Sequence, residues 1–347
     1  MLQLFEISDI LTKFGFCATF IINMIFINLT VFYTKSITPT YKRLLVIFAT
    51  TCIIFSAIDA ICQPFIQNFN GGLVYFSLVD QETSIFSQDF LRTTLSLNAS
   101  CYVAQLVFIA IQFLFRYFTL IEHRFRKTFY GISQLIWISY FFFFGALYAI
   151  VVYFCLPPDD YSDEYMRVEM MKVYQKDIKG TPRILAVAYQ NGMVRWGVVT
   201  FFCTGCFIFS LQYSTIIFCA VQMHKSMKSE LANFSTQNKK LEMQFLKALT
   251  IQIILPTFLI TLPIGFVIMV PLFDINVSCQ TGVIFALYSL YPPLDSIATM
   301  VIVKEYMTCV QRFWSDLKTF FCNSDKSEEP RNELQLAKLS SIANCQI

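Results

Sequence analysis

Seven long apolar stretches between Phe14 and Val303 constrain this chain more than any other feature of its sequence. Polar loops separate them. Five of the seven contain an uncharged run of more than 20 residues, at 14–34, 93–115, 128–158, 196–223 and 248–273, and the other two contain one acid each, Asp59 and Asp295. An α-helix rises about 1.5 Å per residue, so roughly 20 apolar residues cross the ~30 Å hydrocarbon core of a bilayer. The sequence therefore predicts an all-α membrane protein, a seven-transmembrane helix bundle.

The apolar pattern also sets the expected boundaries. The predicted spans cover residues 14–34, 44–64, 94–118, 133–155, 197–221, 246–271 and 281–303. After the seventh span, large apolar side chains recur at helical spacing, so an amphipathic helix is predicted over about 306–321. These elements form one predicted membrane domain, residues 1–322, followed by a polar tail, 323–347, that we expect to be disordered.

Composition excludes several classes of protein. Hydrophobic residues make up 56% of the 347 residues and charged residues only 14%, which no soluble domain of this size could accommodate. The 12 cysteines are scattered, and the close pair Cys203 and Cys206 has no histidine nearby. We therefore interpret the cysteines as small buried side chains and predict neither a metal site nor a cofactor.

The basic residues of the short loops predict an orientation. Lys and Arg accumulate after spans one, three and five, and they are scarce in the other short loops. Such residues stay on the cytoplasmic side because moving them across the membrane is unfavourable. The long loop 159–195 carries six basic and six acidic residues, but long loops translocate with little regard to charge. The N-terminus is thus predicted outside and the C-terminus inside.

Three positions are candidates for covalent modification. Asn276 and Asn98 belong to Asn-x-Ser sequons on the predicted outer side, although Asn98 lies close to the start of span three, and either sequon is also explained by chance. Cys322 directly follows the predicted amphipathic helix, which makes it a candidate for palmitoylation; a free thiol explains it equally well.

Ionisable groups within spans are candidates for function, because they are costly to place in hydrocarbon. By helical rise, Asp59 lies about 25 Å from the inner end of span two, Asp295 about 12 Å and Asn28 about 9 Å from the inner surface. Asp59 therefore either contacts a cavity open to the outside or is solvated by the adjacent loop. Asn28 and Asp295 match in depth and are expected to hydrogen-bond. Pro256, in span six, predicts a helix kink.

Several stretches together resemble the nematode seven-transmembrane chemoreceptors of the Str/Srj serpentine group, which are G-protein-coupled receptors. The resemblance covers about residues 28–306, and its motifs are loose singly but specific in order and spacing. They are Tyr41-Lys42, Asp59 through Pro64, Gln112-Phe-Leu-Phe-Arg-Tyr117, Asp163-Glu-Tyr165, Gln244 through Gln252 with Pro256, and Leu290-Tyr-Pro-Pro-Leu-Asp295.

The chain departs from the group's pattern at several positions. Phe115 stands where Tyr is common in the aromatic-Arg-Tyr triplet, and Ser296 stands where a Pro usually follows the acid of span seven. The loop between spans four and five has no cysteine to pair with Cys101, which leaves Cys279 or Cys155 as partners or no disulfide at all. These departures leave the resemblance intact and affect the expected efficiency of coupling.

The resemblance implies a chemosensory receptor, of the olfactory type, in the plasma membrane of sensory-neuron cilia. Its expected partners are a small extracellular molecule and a heterotrimeric G protein, with no nucleic acid involved. The expected ligand cavity lies between the outer halves of spans two, three, five, six and seven, with Asp59 as a contributor. The residues expected to act in coupling and switching are Arg116, Tyr117, Asn28, Pro256 and Asp295.

Two other classes of function remain as alternatives. A channel or a transporter of seven spans would fit the apolar pattern, although the sequence has no internal repeat of the kind common in transporters. An intramembrane enzyme is disfavoured because the two acids lie at different depths and no span contains a histidine. Arg116 itself also allows a simpler interpretation, in which it only extends towards lipid phosphates at the membrane surface.

Overall fold

Long apolar helices form most of the molecule in the computed structural model, which describes residues 4–35, 37–81, 84–122, 124–230, 236–273, 275 and 278–311. The long helices are α1 (Leu4–Asn28), α2 (Pro39–Cys62), α3 (Gln88–Leu120), α4 (Leu135–Cys155), α6 (Trp196–Glu230) and α7 (Thr236–Pro256). The shorter helices are α5 (Asp160–Tyr174), α8 (Leu262–Met269), α9 (Gly282–Tyr288), α10 (Tyr291–Ile302) and α11 (Lys304–Gln311). The strands are β1 (Pro64–Phe69), β2 (Gly72–Ser77), β3 (Arg183–Val187), β4 (Tyr189–Gln190), β5 (Met193–Val194) and β6 (Cys279–Gln280).

The helices agree with the predicted spans in order and position. Among the described residues, five helical segments are long and apolar enough to cross a membrane, and a sixth is added if Gly282–Ile302 and Lys304–Gln311, which meet at 89°, form one span. These segments correspond to predicted spans one to five and seven. Predicted span six corresponds to α7, a π-helical segment at Thr257–Thr261, and α8. The prediction of a mostly helical membrane architecture is therefore confirmed.

The helix disruption expected at Pro256 is present in the structure. Pro256 is the last residue of α7, and the π-helical segment Thr257–Thr261 follows it directly. A proline lacks the amide hydrogen that the preceding turn requires, and π-helical turns relieve such breaks. A second π-helical segment, Leu29–Tyr33, ends the α1 span.

The all-α prediction is wrong at one end of the bundle, where four strands form an antiparallel sheet in the order β3-β2-β1-β6. β1 and β2 are joined by Asn70-Gly71, both with positive φ, as a two-residue hairpin requires. The strands were missed because their apolar run resembles the end of a buried helix. The Asn-Gly pair was the available signal for the hairpin.

Both faces of this sheet are buried. Ile66, Tyr75 and Ile184 pack against the helix bundle on one face, and alternate residues such as Phe65, Val74 and Leu185 pack on the other. The second face is covered by α5 through Met166, Met170 and Tyr174. We call the sheet and α5 together the cap. Much of the predicted loop 159–195 therefore forms helix and strand within the cap, which covers this end of the helix bundle.

Ion pairs fasten the cap. The Arg183 guanidinium donates to both carboxylate oxygens of Asp163, at 2.6 and 2.5 Å, and both side chains are less than a tenth exposed. Arg195 donates to Asp159, which caps the start of α5 by accepting from the Ser162 amide at 3.1 Å. Partial burial raises the pKa of Asp159, but the donors from Ser162 and Arg195 outweigh it and hold that pKa below its usual value.

At the opposite end, α11 turns away from α10. Tyr306 fastens this turn, since its ring is fully buried against Phe26 and its hydroxyl lies 2.8 Å from that of Thr30. The described part of the predicted amphipathic helix is therefore helical as far as Gln311. The rest of that prediction lies outside the described residues, as do the tail 323–347 and the modification candidates Asn276 and Cys322.

Candidate ligand cavity and Arg116 cluster

A cavity of about 380 Å³ lies beneath the cap, within the range of 300–1,000 Å³ typical of small-molecule sites. Its walls come from α3, α4 and α6 to α10, with the π-helical segment at Thr257–Thr261, and from the inner face of the sheet. Aromatic rings dominate the wall. They include Tyr75, Tyr102, Tyr148, Phe201, Phe202, Phe209, Phe285 and Tyr288. The size and lining suit a small, mainly apolar molecule.

A few polar groups interrupt this apolar wall. The Tyr288 hydroxyl donates to Oε1 of Gln105, which leaves Nε2 of Gln105 without a hydrogen-bond partner among the described residues. Among the described residues, the hydroxyls of Tyr102 and Tyr148, which also line the cavity, have no hydrogen-bond partner either. A buried donor without a partner is unfavourable, so a ligand oxygen that accepts from one of them is stabilised. No charged side chain is among the described lining residues.

The cavity differs from the expected one in two respects. α2 contributes no described lining residue, whereas α4 contributes Tyr148 and Val152, and Leu156 follows directly after it. Asp59, the expected contributor, is also absent from this lining and is buried beside it. The strand β1 takes the place expected for the outer part of span two, because the chain leaves the helix at Cys62.

Asp59 is the centre of a separate hydrogen-bonded group. Its carboxylate accepts from Nδ2 of Asn98 at 3.0 Å and from Oγ of Ser289 at 2.5 Å. Asn98 in turn accepts from the Tyr75 hydroxyl at 2.6 Å, and Tyr75 lines the cavity. Protein donors on α3 and directly after α9 therefore solvate Asp59. Its connection to the cavity lining runs through Asn98 and Tyr75.

These contacts bear on Asn98 as a candidate for glycosylation. The side chain is 2% exposed, and both its amide nitrogen and its carbonyl oxygen are engaged. A glycan at this atom would displace α2 or β2 from α3. Asn98 is close to the start of the predicted span three, residues 94–118, but α3 begins earlier, at Gln88, and surrounds Asn98 with helix.

The expected hydrogen bond between Asn28 and Asp295 is wrong. Asn28 is exposed and donates to the Met24 carbonyl, one turn back on its own helix. Asp295 accepts instead from Nε2 of Gln252 at 2.8 Å. Equal depth does not imply a shared face. Asn23, five residues earlier and therefore on another face of α1, is the residue that reaches α10.

Asn23 and Ser296 form the contact that the sequence reasoning missed. The Ser296 hydroxyl donates to Oδ1 of Asn23 at 2.8 Å, and both residues are buried. Ser296 had been noted only because it replaces the usual proline. A hydroxyl at that position within a span was the available signal, since such a group seeks a partner on a neighbouring helix.

Arg116 lies in a buried cluster at the end opposite the cap. One guanidinium nitrogen lies 2.5 Å from Oε2 of Glu242 on α7, and Arg116 is 3% exposed. Its guanidinium carbon lies 3.5 Å from the ring centre of Tyr41 and 4.3 Å from that of Phe245. The interpretation that Arg116 merely extends to lipid phosphates is therefore wrong. The neighbouring Tyr117 contacts Phe218 of α6 at 5.7 Å between ring centres.

We call Arg116, Glu242, Tyr41 and Phe245 the Arg116 cluster. Of its members, the sequence reasoning singled out Arg116 and noted Tyr41, but it did not identify Glu242. This acid lies in a polar segment between Lys240 and Lys247, where it resembles an ordinary exposed charge. Only the fold brings it to Arg116 across 126 positions of sequence. Cys101, for which a disulfide remained open, is a free buried thiol.

A helical membrane bundle with a capped apolar cavity at one end and a buried arginine cluster at the other defines a multi-pass protein of the seven-transmembrane receptor class. The model of the family described as serpentine type 7TM GPCR chemoreceptor Str matches residues 8–311, and the chain belongs to that family. The recognition made from the sequence motifs is thereby confirmed.

Curated relatives of this chain carry names of the same kind. It is 34% identical over 308 residues to the G-protein coupled receptor str-33 of Caenorhabditis elegans, covering 87% of this chain and 89% of the relative. It is 23% identical to the serpentine receptor class r-10 of Caenorhabditis elegans and 24% identical to that of Caenorhabditis briggsae, over nearly the full length of both chains in each case.

Proposed function

We propose that this protein is a chemosensory receptor that binds a small, mainly apolar molecule in the capped cavity and activates a heterotrimeric G protein at the Arg116 end. The observation that carries the proposal is that α3 joins the two sites. Gln105 lines the cavity and Arg116 forms the cluster, and they are separated by about 16 Å of the same helix. A displacement of α3 at one site is therefore transmitted to the other.

The proposed orientation places the cap outside the cell and the Arg116 cluster inside. Among the short loops, those at the Arg116 end contain most of the basic residues, including Arg124, Arg126 and Lys127. The N-terminus is then outside and the C-terminus inside. A receptor for external chemicals acts in the plasma membrane, and the family resemblance adds sensory-neuron cilia as the site of action.

The ligand is proposed to be uncharged and to carry at least one oxygen that accepts a hydrogen bond. The donors proposed to bind this oxygen are Nε2 of Gln105 and the hydroxyl of Tyr102, because both line the cavity and have no hydrogen-bond partner among the described residues. The aromatic wall supplies the rest of the affinity by excluding water. Asp59 keeps Tyr75 in place through Asn98 and does not itself bind the ligand.

A second connection between the two sites runs through α10 and α7. Tyr291 lines the cavity, and its hydroxyl donates to the Gln252 carbonyl at 3.0 Å. The Gln252 side chain donates to Asp295, so α7 and α10 are joined within the bundle. Glu242 lies ten residues before Gln252 on α7. A ligand that shifts Tyr291 therefore acts on the helix that holds Arg116.

The proposed switch is the separation of Glu242 from Arg116. In the described state, α7 closes over the arginine, which leaves no room for a partner protein at this side chain. The π-helical segment after Pro256 provides a weak point about which the preceding part of α7 can move. Outward movement of α7 exposes Arg116 to the G protein, and the ligand favours this state by binding it more tightly.

The test is a cell assay on the full chain. Cells that express the receptor and a G-protein-dependent calcium reporter are screened with a panel of small apolar molecules. We expect at least one to evoke a response that Arg116→Ala abolishes at unchanged surface level. Arg167→Ala is the matched control, since Arg167 forms an exposed ion pair with Glu164 and should not affect signalling. An undiminished response in Arg116→Ala, or a ligand-evoked current that persists without G protein, would contradict the proposal and favour a channel.

A further inference from the structure

The cap closes the direct path from water to the cavity. Ile66, Leu73, Tyr75, Ile184 and Ala186 face the cavity from the sheet, and each is buried. On the far side of the sheet, α5 buries a second apolar layer held by the Arg183–Asp163 pair. A molecule that came through the cap would have to separate Arg183 from Asp163, and leaving a buried charge without its partner is costly. A ligand therefore needs a different path.

The helices α6 and α8 diverge beside the cavity. Towards the Arg116 end, side chains of α6 and α7 belong to one buried cluster with α3, which includes Ile216, Cys219, Leu249 and Ile253. The Tyr213 and Thr257 hydroxyls, 2.9 Å apart, mark the limit of this contact. Beyond it, α6 packs on α3 and α4, whereas α8 packs on α9 and on the π-helical segment.

Near the cap, the segments that flank α6 and α8 are again in contact. There the Tyr189 hydroxyl donates to the carbonyl of Leu272 at 3.0 Å, which joins the segment before α6 to the segment after α8. The gap between α6 and α8 thus ends at the Tyr213–Thr257 contact on one side and at the Tyr189–Leu272 contact on the other. About 15 residues of span six lie between them, or roughly 22 Å if helical.

Exposure of the cavity wall is concentrated at this same place. Of the described lining residues, the two that are exposed are Cys206 of α6 and Leu262 of α8, and Leu262 is 56% exposed. Gly265, one turn further along α8, also lines the cavity, and a Cβ at this position would meet no atom within 4 Å. Open space therefore continues from the cavity to the outer surface of the bundle.

The surface around this opening is the one that faces lipid. Phe207 on α6 is 62% exposed, and Phe258 and Phe266 on either side of Leu262 are 66% and 69% exposed. A group of large, strongly exposed apolar side chains on a spanning helix is typical of a surface in contact with hydrocarbon. The described residues between Trp196 and Tyr213, and those of α8, are all uncharged. The opening thus communicates with the bilayer core rather than with water.

We propose that the gap between α6 and α8 at Cys206, Leu262 and Gly265 is a lateral path by which a ligand dissolved in the membrane reaches the cavity. This inference rests on the proposed function, in which the cavity is the ligand site. The ligand is an uncharged molecule of mainly apolar surface that partitions into the bilayer before it binds. Each methylene group raises that partition about fourfold, so the membrane concentrates such molecules beside the opening.

The path is tested with an octanol that carries a photoreactive diazirine. The full chain is reconstituted in phosphatidylcholine vesicles, the probe is added, and light is applied after increasing delays. Peptide mass spectrometry then follows labelling at the cavity residues Tyr102 and Tyr288. Gly265→Trp and Leu262→Trp place an indole in the gap. Phe266→Trp is the matched control, because Phe266 is equally apolar and exposed but does not line the cavity.

We expect both gap variants to slow labelling of the cavity about tenfold, the effect of roughly 1.4 kcal/mol on a rate, while the final extent after long incubation stays at the wild-type level. The control variant should follow the wild type. Wild-type rates in both gap variants would overturn the proposal. Loss of the final extent in both would also overturn it, because the new side chains would then be filling the cavity instead of closing a path.

A second probe distinguishes the two sources of ligand. A sulfonated alkyl diazirine, which stays in water, should label the cavity far more slowly than the octanol probe. If it labels equally fast, the path runs through the cap and the lateral opening is not used. Labelling requires neither a G protein nor a signal, so the outcome does not depend on coupling. Absence of any cavity labelling in the wild type would instead contradict the ligand site itself.

Discussion

Replacing Glu242 by Gln removes the negative charge that holds Arg116 in the described state. The glutamine has nearly the same shape and still accepts a hydrogen bond, so packing around Tyr41 and Phe245 should persist. What is lost is the charge-assisted part of a contact of 2.5 Å, between an arginine side chain 4% exposed and a glutamate side chain 16% exposed. We therefore expect Glu242→Gln to raise signalling in the absence of ligand.

The size of this effect follows from the burial of the pair. Hydrogen bonds to charged groups contribute about 1.5–3 kcal/mol, and a mainly buried pair belongs in the middle of that range, at about 2 kcal/mol. Such a change multiplies the ratio of active to inactive receptor about 30-fold. If roughly 1% of the receptor is active without ligand, the variant reaches roughly a quarter.

Basal activity is measured as GTPγS binding in membranes that contain the receptor and G protein, normalised to surface receptor. The control is Glu164→Gln, which alters an exposed ion pair in the cap and should leave basal activity unchanged. In the double variant Arg116→Ala, Glu242→Gln, the basal activity should disappear again, because the group proposed to contact the G protein is missing. Basal activity of Glu242→Gln at the wild-type level, with normal surface amounts, would refute the proposed switch.

Three further predictions concern the cavity and the cap. Gln105→Leu removes a donor without a protein partner, so the most potent agonist of the screen should lose about five- to tenfold in potency, measured as a concentration–response curve. Arg183→Met leaves the Asp163 carboxylate buried without its partner and should destabilise the cap by about 3–5 kcal/mol, measured as a lower thermal midpoint of the solubilised receptor. Replacement of both residues by apolar ones should restore much of the lost stability. The pKa of Asp159 is lower in the folded than in the unfolded receptor, so its stabilising contribution is present above the unfolded pKa of about 3.9 and is lost as the pH falls through the folded pKa. The thermal midpoint should therefore decrease when the pH is lowered below about 4. The decrease should be smaller in Asp159→Asn.

The sequence determined the membrane class and the positions of the spans. Hydrocarbon imposes one requirement on every spanning helix, a sufficient length of apolar residues, and that requirement is local in sequence. It is therefore visible without knowledge of contacts, and the first five predicted spans coincide with helices that are long and apolar enough to cross. The ordered motifs added the family, because residues such as Arg116 and Asp295 occur at characteristic spacing.

Local patterns were less informative where the chain leaves the bilayer. The hairpin at Asn70-Gly71 and the helix α5 form a packed cap, although loop composition alone predicted an ordinary long loop. β-strands acquire their stability from partners that are distant in sequence, as β2 does from β3. The signal for the turn was present, whereas the pairing that makes a sheet was not.

The tertiary structure alone decided which polar groups meet. Depth along a helix gave Asn28 and Asp295 the same level, but the face of α1 decided that Asn23 reaches α10 and that Asn28 does not. It also placed Asp59 beside Asn98 rather than in the cavity, and it brought Glu242 to Arg116. The depth of a residue follows from the rise per residue of its own helix. The rotation of each helix about its axis, which decides the neighbour that a side chain faces, is set by packing against the other helices. For that reason the sequence identified a membrane receptor, and only the assembled helices showed its capped cavity, the gap between α6 and α8, and the buried pair that holds Arg116.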